Sequence, residues 1–250
     1  MALAALVLAP PLVLPPLVAA PVAPVNAIPL SGPPGQSLLI QSTARADYGP
    51  LAEQFLTQAN LAYCGVASAV MVLNSLGVPA PAADGYGSYR FWTQENFFEA
   101  EAARRVISPE LVRRQGMTLE ELAGLLTSHG LVVQRIHGDR LNLEAFRALL
   151  RRNLAEGGDR LLVNYARRSL GQAGGGHISP LAAYHAPSDR VLILDVARYR
   201  YPSVWVPAAD LWQAMRTTDT TSGRSRGLVT IRKAPSPAPP PGTAPPPGPS

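Results

Sequence analysis

Gln58-Ala-Asn-Leu-Ala-Tyr-Cys64-Gly-Val-Ala-Ser-Ala-Val-Met-Val-Leu-Asn-Ser-Leu-Gly77 is an apolar, helix-like run that opens at a cysteine. A thiol at a helix start meets the positive end of the peptide dipoles and N–H groups without intrahelical partners, and both favour the thiolate. Cys64 is the only cysteine of the chain, so it can form neither an internal disulfide nor a multi-thiolate metal site. An isolated cysteine also suits a plainer role, that of a small buried hydrophobe. Whether a supported base lies elsewhere in the chain decides between the two.

Outward from this run, Gly77 and Pro79 end the helix that covers residues 64–76. Residues 91–101 and 108–113 are expected as further short helices. Thr118, with Glu121 three positions on, is a capping box ahead of apolar residues at helical spacing. A short strand at 131–136 and an amphipathic helix at 143–154 follow. From Arg160 the pattern changes to strands, at 160–165, 177–185, 190–196 and 227–232, with a short helix at 210–216. Ala186-Pro-Ser-Asp189 is the turn between the second and third of these strands. A helical half followed by an antiparallel-sheet half is an α+β arrangement.

The chain has 250 residues, 47% of them hydrophobic and 16% charged, enough apolar surface for a sizeable core. Its net charge is +5, and all of its basic residues except Lys233 are arginines. That balance suits small anionic ligands. The arginines are scattered, with no dense basic stripe among aromatics, so a nucleic-acid partner is not expected. The two ends differ from the middle. Residues 1–30 are apolar and Pro-rich; residues 1–20 resemble the core of a secretory signal, and Val25-Asn26-Ala27 is a passable cleavage site, although no Lys or Arg precedes the run. Export to the periplasm or beyond is the expectation, with the cytoplasm as the location if this segment is no signal. Pro10, Pro11, Pro15 and Pro16 argue against a stable membrane-spanning helix. Residues 234–250 form a Pro/Ala/Gly tail that cannot build a core. Between the ends, residues 31–233 read as one domain, and a homodimer is a candidate assembly.

Four histidines could serve Cys64 as a base. His129 precedes Gly130 at a helix end and reads as a capping residue; His137 and His185 lie at strand ends, where solvated histidines need no explanation. His177 follows Gly174-Gly-Gly176, a stretch without side chains to block access, and begins a strand. If 177–185 and 190–196 pair as a hairpin, an even register puts His177 and Asp195 on one face within reach of each other. A carboxylate there would hold the imidazole's orientation and stabilise its cation. Gln58, ahead of the helix, could donate its amide to an oxyanion together with the Cys64 N–H. Each residue alone has an ordinary reading: Gln58 as loop surface, His177 as strand edge, Asp195 as a polar strand end. Together they predict papain-like acyl chemistry, although the local signature of papain-type enzymes is missing.

The chain resembles the phytochelatin synthase, or glutathione γ-glutamylcysteinyltransferase, family over roughly residues 38–232. The resemblance is carried in order by 58–68 with Met71-Val-Leu-Asn74, Phe91-Trp-Thr-Gln-Glu-Asn-Phe97, Met117-Thr-Leu-Glu-Glu-Leu122 and Asn164-Tyr165. It continues in Gly171-Gln172, 176–184, Asp195-Val-Ala-Arg-Tyr-Arg-Tyr-Pro202 with Trp205, 210–215, and Arg226-Gly227. It implies a papain-like fold. It also implies that Cys64 attacks the Cys–Gly bond of glutathione, with His177 as base and acid, Asp195 as its orienter and Gln58 as oxyanion donor. The γ-glutamylcysteinyl group would then pass to a second glutathione or to water, short bacterial members being expected to favour water. Arg226 is expected near the γ-glutamyl carboxylate and Asp219 near its amine, with Arg167 and Gly176 also beside the substrate. No cofactor bound by the protein is expected. Cd²⁺ or Zn²⁺ is expected to arrive as a glutathione thiolate complex, since the chain's one thiol is taken by the reaction. The competing readings are a papain-like peptidase for other peptides and an exported binding module without activity.

Overall fold

The computed structural model describes residues 26–235. In chain order the elements are β1 (Ile28–Pro29), α1 (Pro33–Gln41), α2 (Tyr48–Glu53), α3 (Cys64–Ser75), α4 (Glu101–Val106), α5 (Pro109–Gln115) and α6 (Leu119–Ser128). Then come β2 (Leu131–His137), α7 (Leu143–Asn153), β3 (Asp159–Ala166), β4 (Gly176–His185), β5 (Arg190–Ile193), β6 (Val204–Pro207), α8 (Ala208–Arg216) and β7 (Gly227–Lys233). The strands make one antiparallel sheet in the order β1-β6-β5-β4-β3-β7-β2. The α+β reading is therefore correct.

Both faces of the sheet are covered, and neighbouring residues of β3 go to opposite sides, as a period of two requires. Leu162 packs under Val66, Val70 and Leu73 of α3, together with Leu122 and Leu126 of α6. Leu161 and Val163 face Phe146 of α7 and Leu211 and Met215 of α8. Burial of one such leucine contributes roughly 2 kcal/mol. The helix that opens at Cys64 is thus packed against the sheet, with Val66, Val70, Met71 and Leu73 fully buried.

The capping box forms as expected: Thr118 Oγ1 accepts from Glu121 N–H at 3.2 Å, and Glu121 Oε2 accepts from Thr118 N–H at 2.7 Å. The helix expected over residues 91–101 does not. Only Asn96–Phe98 makes a single 3₁₀ turn, and α4 starts at Glu101. The local side chains take the backbone groups a helix would need: Asn96 Oδ1 accepts from Thr93 N–H at 2.8 Å and Thr93 Oγ1 from Asn96 N–H at 3.1 Å. The sheet also reaches back to Ile28, inside the segment assigned to the leader, because Ile28 and Pro29 pair with Trp205 and Val204. The readings of residues 1–25 and 236–250 lie outside the described residues.

Three histidines are placed differently from expectation. His129 does close α6, but its ring is buried between Trp92 and Phe97, each 4.6 Å away centroid to centroid. Burial pushes its pKa down to about 4. His137 and His185 are buried rather than solvated. His137 is held between the Ser225 carbonyl at 2.6 Å and Glu120 Oε1 at 2.9 Å, and His185 Nδ1 meets Ser188 Oγ at 2.7 Å.

Candidate active site

Cys64 is the first residue of α3, and no side chain caps the helix there. The open N–H groups of the first turn therefore face the cleft beside Sγ. Gly65 is the next residue because there is no room for more: a Cβ on it would lie 2.6 Å from Met117 Sδ. The cleft is lined by Cys64, His177, Asn164, Gly176, Asp219 and Arg226, among others.

His177 reaches Asp195 through a register change. Next to the turn, His185 pairs with Arg190 and Ala183 with Leu192, a register that would put His177 and Asp195 on opposite faces. A bulge then takes up Ala182, Leu181 pairs with Ile193, and the two residues come to one face. His177 Nε2 lies 2.9 Å from Asp195 Oδ1, and Ser179 Oγ lies 2.9 Å from the same nitrogen. With Nε2 so occupied, Nδ1 is the ring nitrogen left for Cys64. Tyr165, opposite His177 on β3, packs edge-on against the imidazole with centroids 5.7 Å apart.

Asp195 is fully buried, and its charge is satisfied from several sides. Arg167 grips it with two bonds, Nη1 to Oδ2 at 2.8 Å and Nη2 to Oδ1 at 3.0 Å, and Ala197 N–H donates to Oδ1 at 2.9 Å. Arg167 also donates to Gln172 Oε1 at 2.6 Å and stacks over the Tyr201 ring at 4.6 Å. Expected beside the substrate, Arg167 is 4% exposed, its guanidinium bound to Asp195 while the residue also lines a recess beside His177. Burial raises the Asp195 pKa, but the His177 charge, its hydrogen bond and the Arg167 fork outweigh that and hold the carboxyl far below the usual carboxylate range.

The same balance runs through the pair in front of it. Burial disfavours the Cys64 thiolate, yet the His177 charge, its hydrogen bond and the Ile178 backbone together bring the thiol below its ordinary value. Burial likewise lowers His177, and Asp195 and the Cys64 charge more than reverse it. Both shifts favour the charged pair, a thiolate beside an imidazolium with a carboxylate bonded to it, the form of the nucleophile that acyl transfer uses.

Gln58 is buried ahead of α3. Its N–H donates to the Val196 carbonyl at 3.0 Å and its Nε2 to the Asn60 carbonyl at 2.6 Å, which leaves one Nε2 hydrogen for another acceptor. Gln58 lines a narrower recess that shares His177 with the main cleft, together with Leu61, Arg167, Gly174, Tyr199 and Arg200. On the main-cleft side, Arg226 and Asp219 stand together, with Arg226 Nη1 3.5 Å from Asp219 Oδ2 and 3.0 Å from Asn164 Oδ1. Their loop is closed by a Thr218–Ser225 bridge. Gly176 leaves the space that Arg226 fills, since a Cβ there would lie 2.2 Å from Nη1.

The sequence reading missed Ser179 and Asn164. Ser179 was within reach, since it alternates with His177 on one strand face. Asn164 was not, because its partner Arg226 comes from a loop whose path only the sheet determines.

A phytochelatin synthase family model matches residues 19–228. Glutathione gamma-glutamylcysteinyltransferase 3 of Lotus japonicus is 34% identical over 211 residues, 83% of this chain and 42% of that protein. Glutathione gamma-glutamylcysteinyltransferase 1 of Triticum aestivum is 36% identical over 186 residues, 74% of this chain and 36% of that protein. The glutathione gamma-glutamylcysteinyltransferase of Schizosaccharomyces pombe is 30% identical over 197 residues, 77% of this chain and 45% of that protein. The chain therefore spans less than half the length of each of these relatives. A match that runs through every element bearing Cys64, His177 and Asp195 leaves one conclusion: the chain belongs to the phytochelatin synthase family.

Proposed function

We propose that this chain is a glutathione γ-glutamylcysteinyltransferase. The observation that carries this reading is the thiol of Cys64 at the open start of α3, beside a His177 whose far nitrogen is bound to Asp195. The relatives' names support the substrate, as does the Arg226–Asp219 wall of the cleft. A γ-glutamyl terminus carries one carboxylate and one ammonium, and Arg226 beside Asp219 offers one cation and one anion 3.5 Å apart.

In the first half-reaction, the Cys64 thiolate attacks the carbonyl carbon of the Cys–Gly peptide bond. The oxyanion accepts from the Cys64 N–H and the free Nε2 hydrogen of Gln58. As the C–N bond breaks, His177 gives its proton to the departing glycine amine, and a γ-glutamylcysteinyl thioester remains. In the second half, His177 takes a proton from the amine of a second glutathione, or from water. That nucleophile attacks the thioester, and Cys64 leaves as thiolate. Asp195, fixed by Arg167, keeps the imidazole oriented and its cation stable through both halves. Cd²⁺ or Zn²⁺ enters as part of a glutathione thiolate complex used as substrate. We further propose that a leader ending at Ala27 is removed before the fold's first strand, and that the tail takes no part in the chemistry.

Product analysis tests the reading. Incubation with glutathione yields free glycine and γ-glutamylcysteine, and added Cd²⁺ shifts product towards longer γ-glutamylcysteine oligomers. Cleavage of ordinary peptides with no glycine released from glutathione would overturn it.

A further inference from the structure

The loop that presents Gln58 is held by a side chain that the acyl chemistry itself does not call for. Gln94 lies half-buried in the turn that leads into the Asn96–Phe98 3₁₀ turn. Its Oε1 accepts from the Ala59 N–H at 2.8 Å, and its Nε2 donates to the Thr57 carbonyl at 2.9 Å. One amide thus binds the backbone on both sides of Gln58, as a neighbouring strand would. The stretch holding Gln94 is itself fastened to the nucleophile helix. Asn74 of α3 accepts from the Trp92 N–H at 2.8 Å and donates to the Trp92 carbonyl at 2.9 Å, and the Trp92 indole reaches the Val78 carbonyl at 3.1 Å. From the other side, the Gln58 N–H is bound by Val196, the residue after Asp195. Gln58 therefore sits in a frame anchored to the helix of Cys64 and to the strand end of Asp195.

An amide is the group this position asks for. It must accept from one backbone N–H and donate to one backbone carbonyl at once. A glutamate offers no donor, and an asparagine falls one methylene short. We propose that Gln94 is a positioning residue for the oxyanion donor, acting through Gln58 by fixing residues 57–59. The proposal rests on the reading of Gln58 as that donor. Donors must stand about 2.7–3.1 Å from the developing oxyanion, so slack in this loop weakens a bond made only in the transition state. The loss falls on kcat rather than KM.

A double-mutant cycle tests this. The rate at which the γ-glutamylcysteinyl adduct appears on the full chain is followed by rapid-quench intact-mass spectrometry for wild type, Gln94→Ala, Gln58→Ala and the double variant. Gln94→Ala slows acylation about tenfold with KM nearly unchanged. In the Gln58→Ala background it slows it less than twofold, because the residue it acts through is gone. Gln94→Glu, which keeps the bond to Ala59 N–H, falls between wild type and Gln94→Ala. It carries the same cycle if the alanine variant melts early. An equal loss from Gln94→Ala in both backgrounds, or no loss in either, overturns the positioning role while leaving Gln58 in place. A Gln58→Ala protein that acylates at the wild-type rate overturns the oxyanion reading itself, and the proposal falls with it.

Discussion

Cys64 alone could have been a core residue, and what changes its character is the charge arranged behind it. His177, Asp195 and Arg167 form a line of alternating sign, each bonded to the next at 3.0 Å or less from Asp195 outward. That line lowers Cys64 and raises His177, and both shifts favour the thiolate–imidazolium pair. Iodoacetamide should therefore alkylate Cys64 rapidly at pH 6, where an ordinary thiol of pKa about 8.5 is under about 1% ionised. His177→Ala should move the alkylation profile to higher pH, measured by peptide mass spectrometry. A wild-type profile that follows an ordinary thiol would contradict this description of the pair. Cys64, His177 and Asp195 were legible because a helix start and a hairpin each leave a strong sequence pattern. Arg167 was legible only as a nearby charge. Nothing in its spacing shows that its guanidinium forks onto Asp195.

At the scale of elements, the apolar patterns of α3, α6, β3, β4 and β7 were strong enough to read directly. The weaker elements were not. β1 has two residues and β6 four, too few for alternation to register. α1 opens on Pro33-Pro-Gly and depends on a tertiary approach, with Gly35 packed so that a Cβ would lie 2.0 Å from the Pro29 carbonyl. The Ala182 bulge is likewise a tertiary feature, and without it the hairpin would hold His177 and Asp195 apart. A buried ion pair ties these layers together. Arg160 of β3 donates to Asp47 Oδ1, just before α2, at 2.8 Å, and to Ser75 Oγ and the Ser75 carbonyl at the end of α3 at 3.0 and 3.1 Å. Asp47→Ala takes away the carboxylate hydrogen-bonded to that buried guanidinium, leaving only the neighbouring Asp159 charge to offset it. The expected cost is about 3–5 kcal/mol, read as a lower urea midpoint at unchanged slope. Since the pair is remote from the cleft, the folded fraction should keep its kcat.

The molecule as a whole is a sheet with helices on both faces, and the site forms where the two halves of the chain meet. The first half brings Cys64 and the Gln58 loop; the second brings His177, Asp195 and the Arg226–Asp219 pair. A net charge of +5 favours the approach of small anionic ligands, an attraction that added salt weakens. The central claim is that Cys64 carries the γ-glutamylcysteinyl group between donor and acceptor. Intact-mass spectrometry of the full chain after brief mixing with glutathione tests it most directly. The account predicts a single covalent γ-glutamylcysteinyl adduct that maps to Cys64 and is absent from Cys64→Ala, together with loss of glycine release in that variant. A Cys64→Ala protein that still releases glycine at the wild-type rate would contradict it.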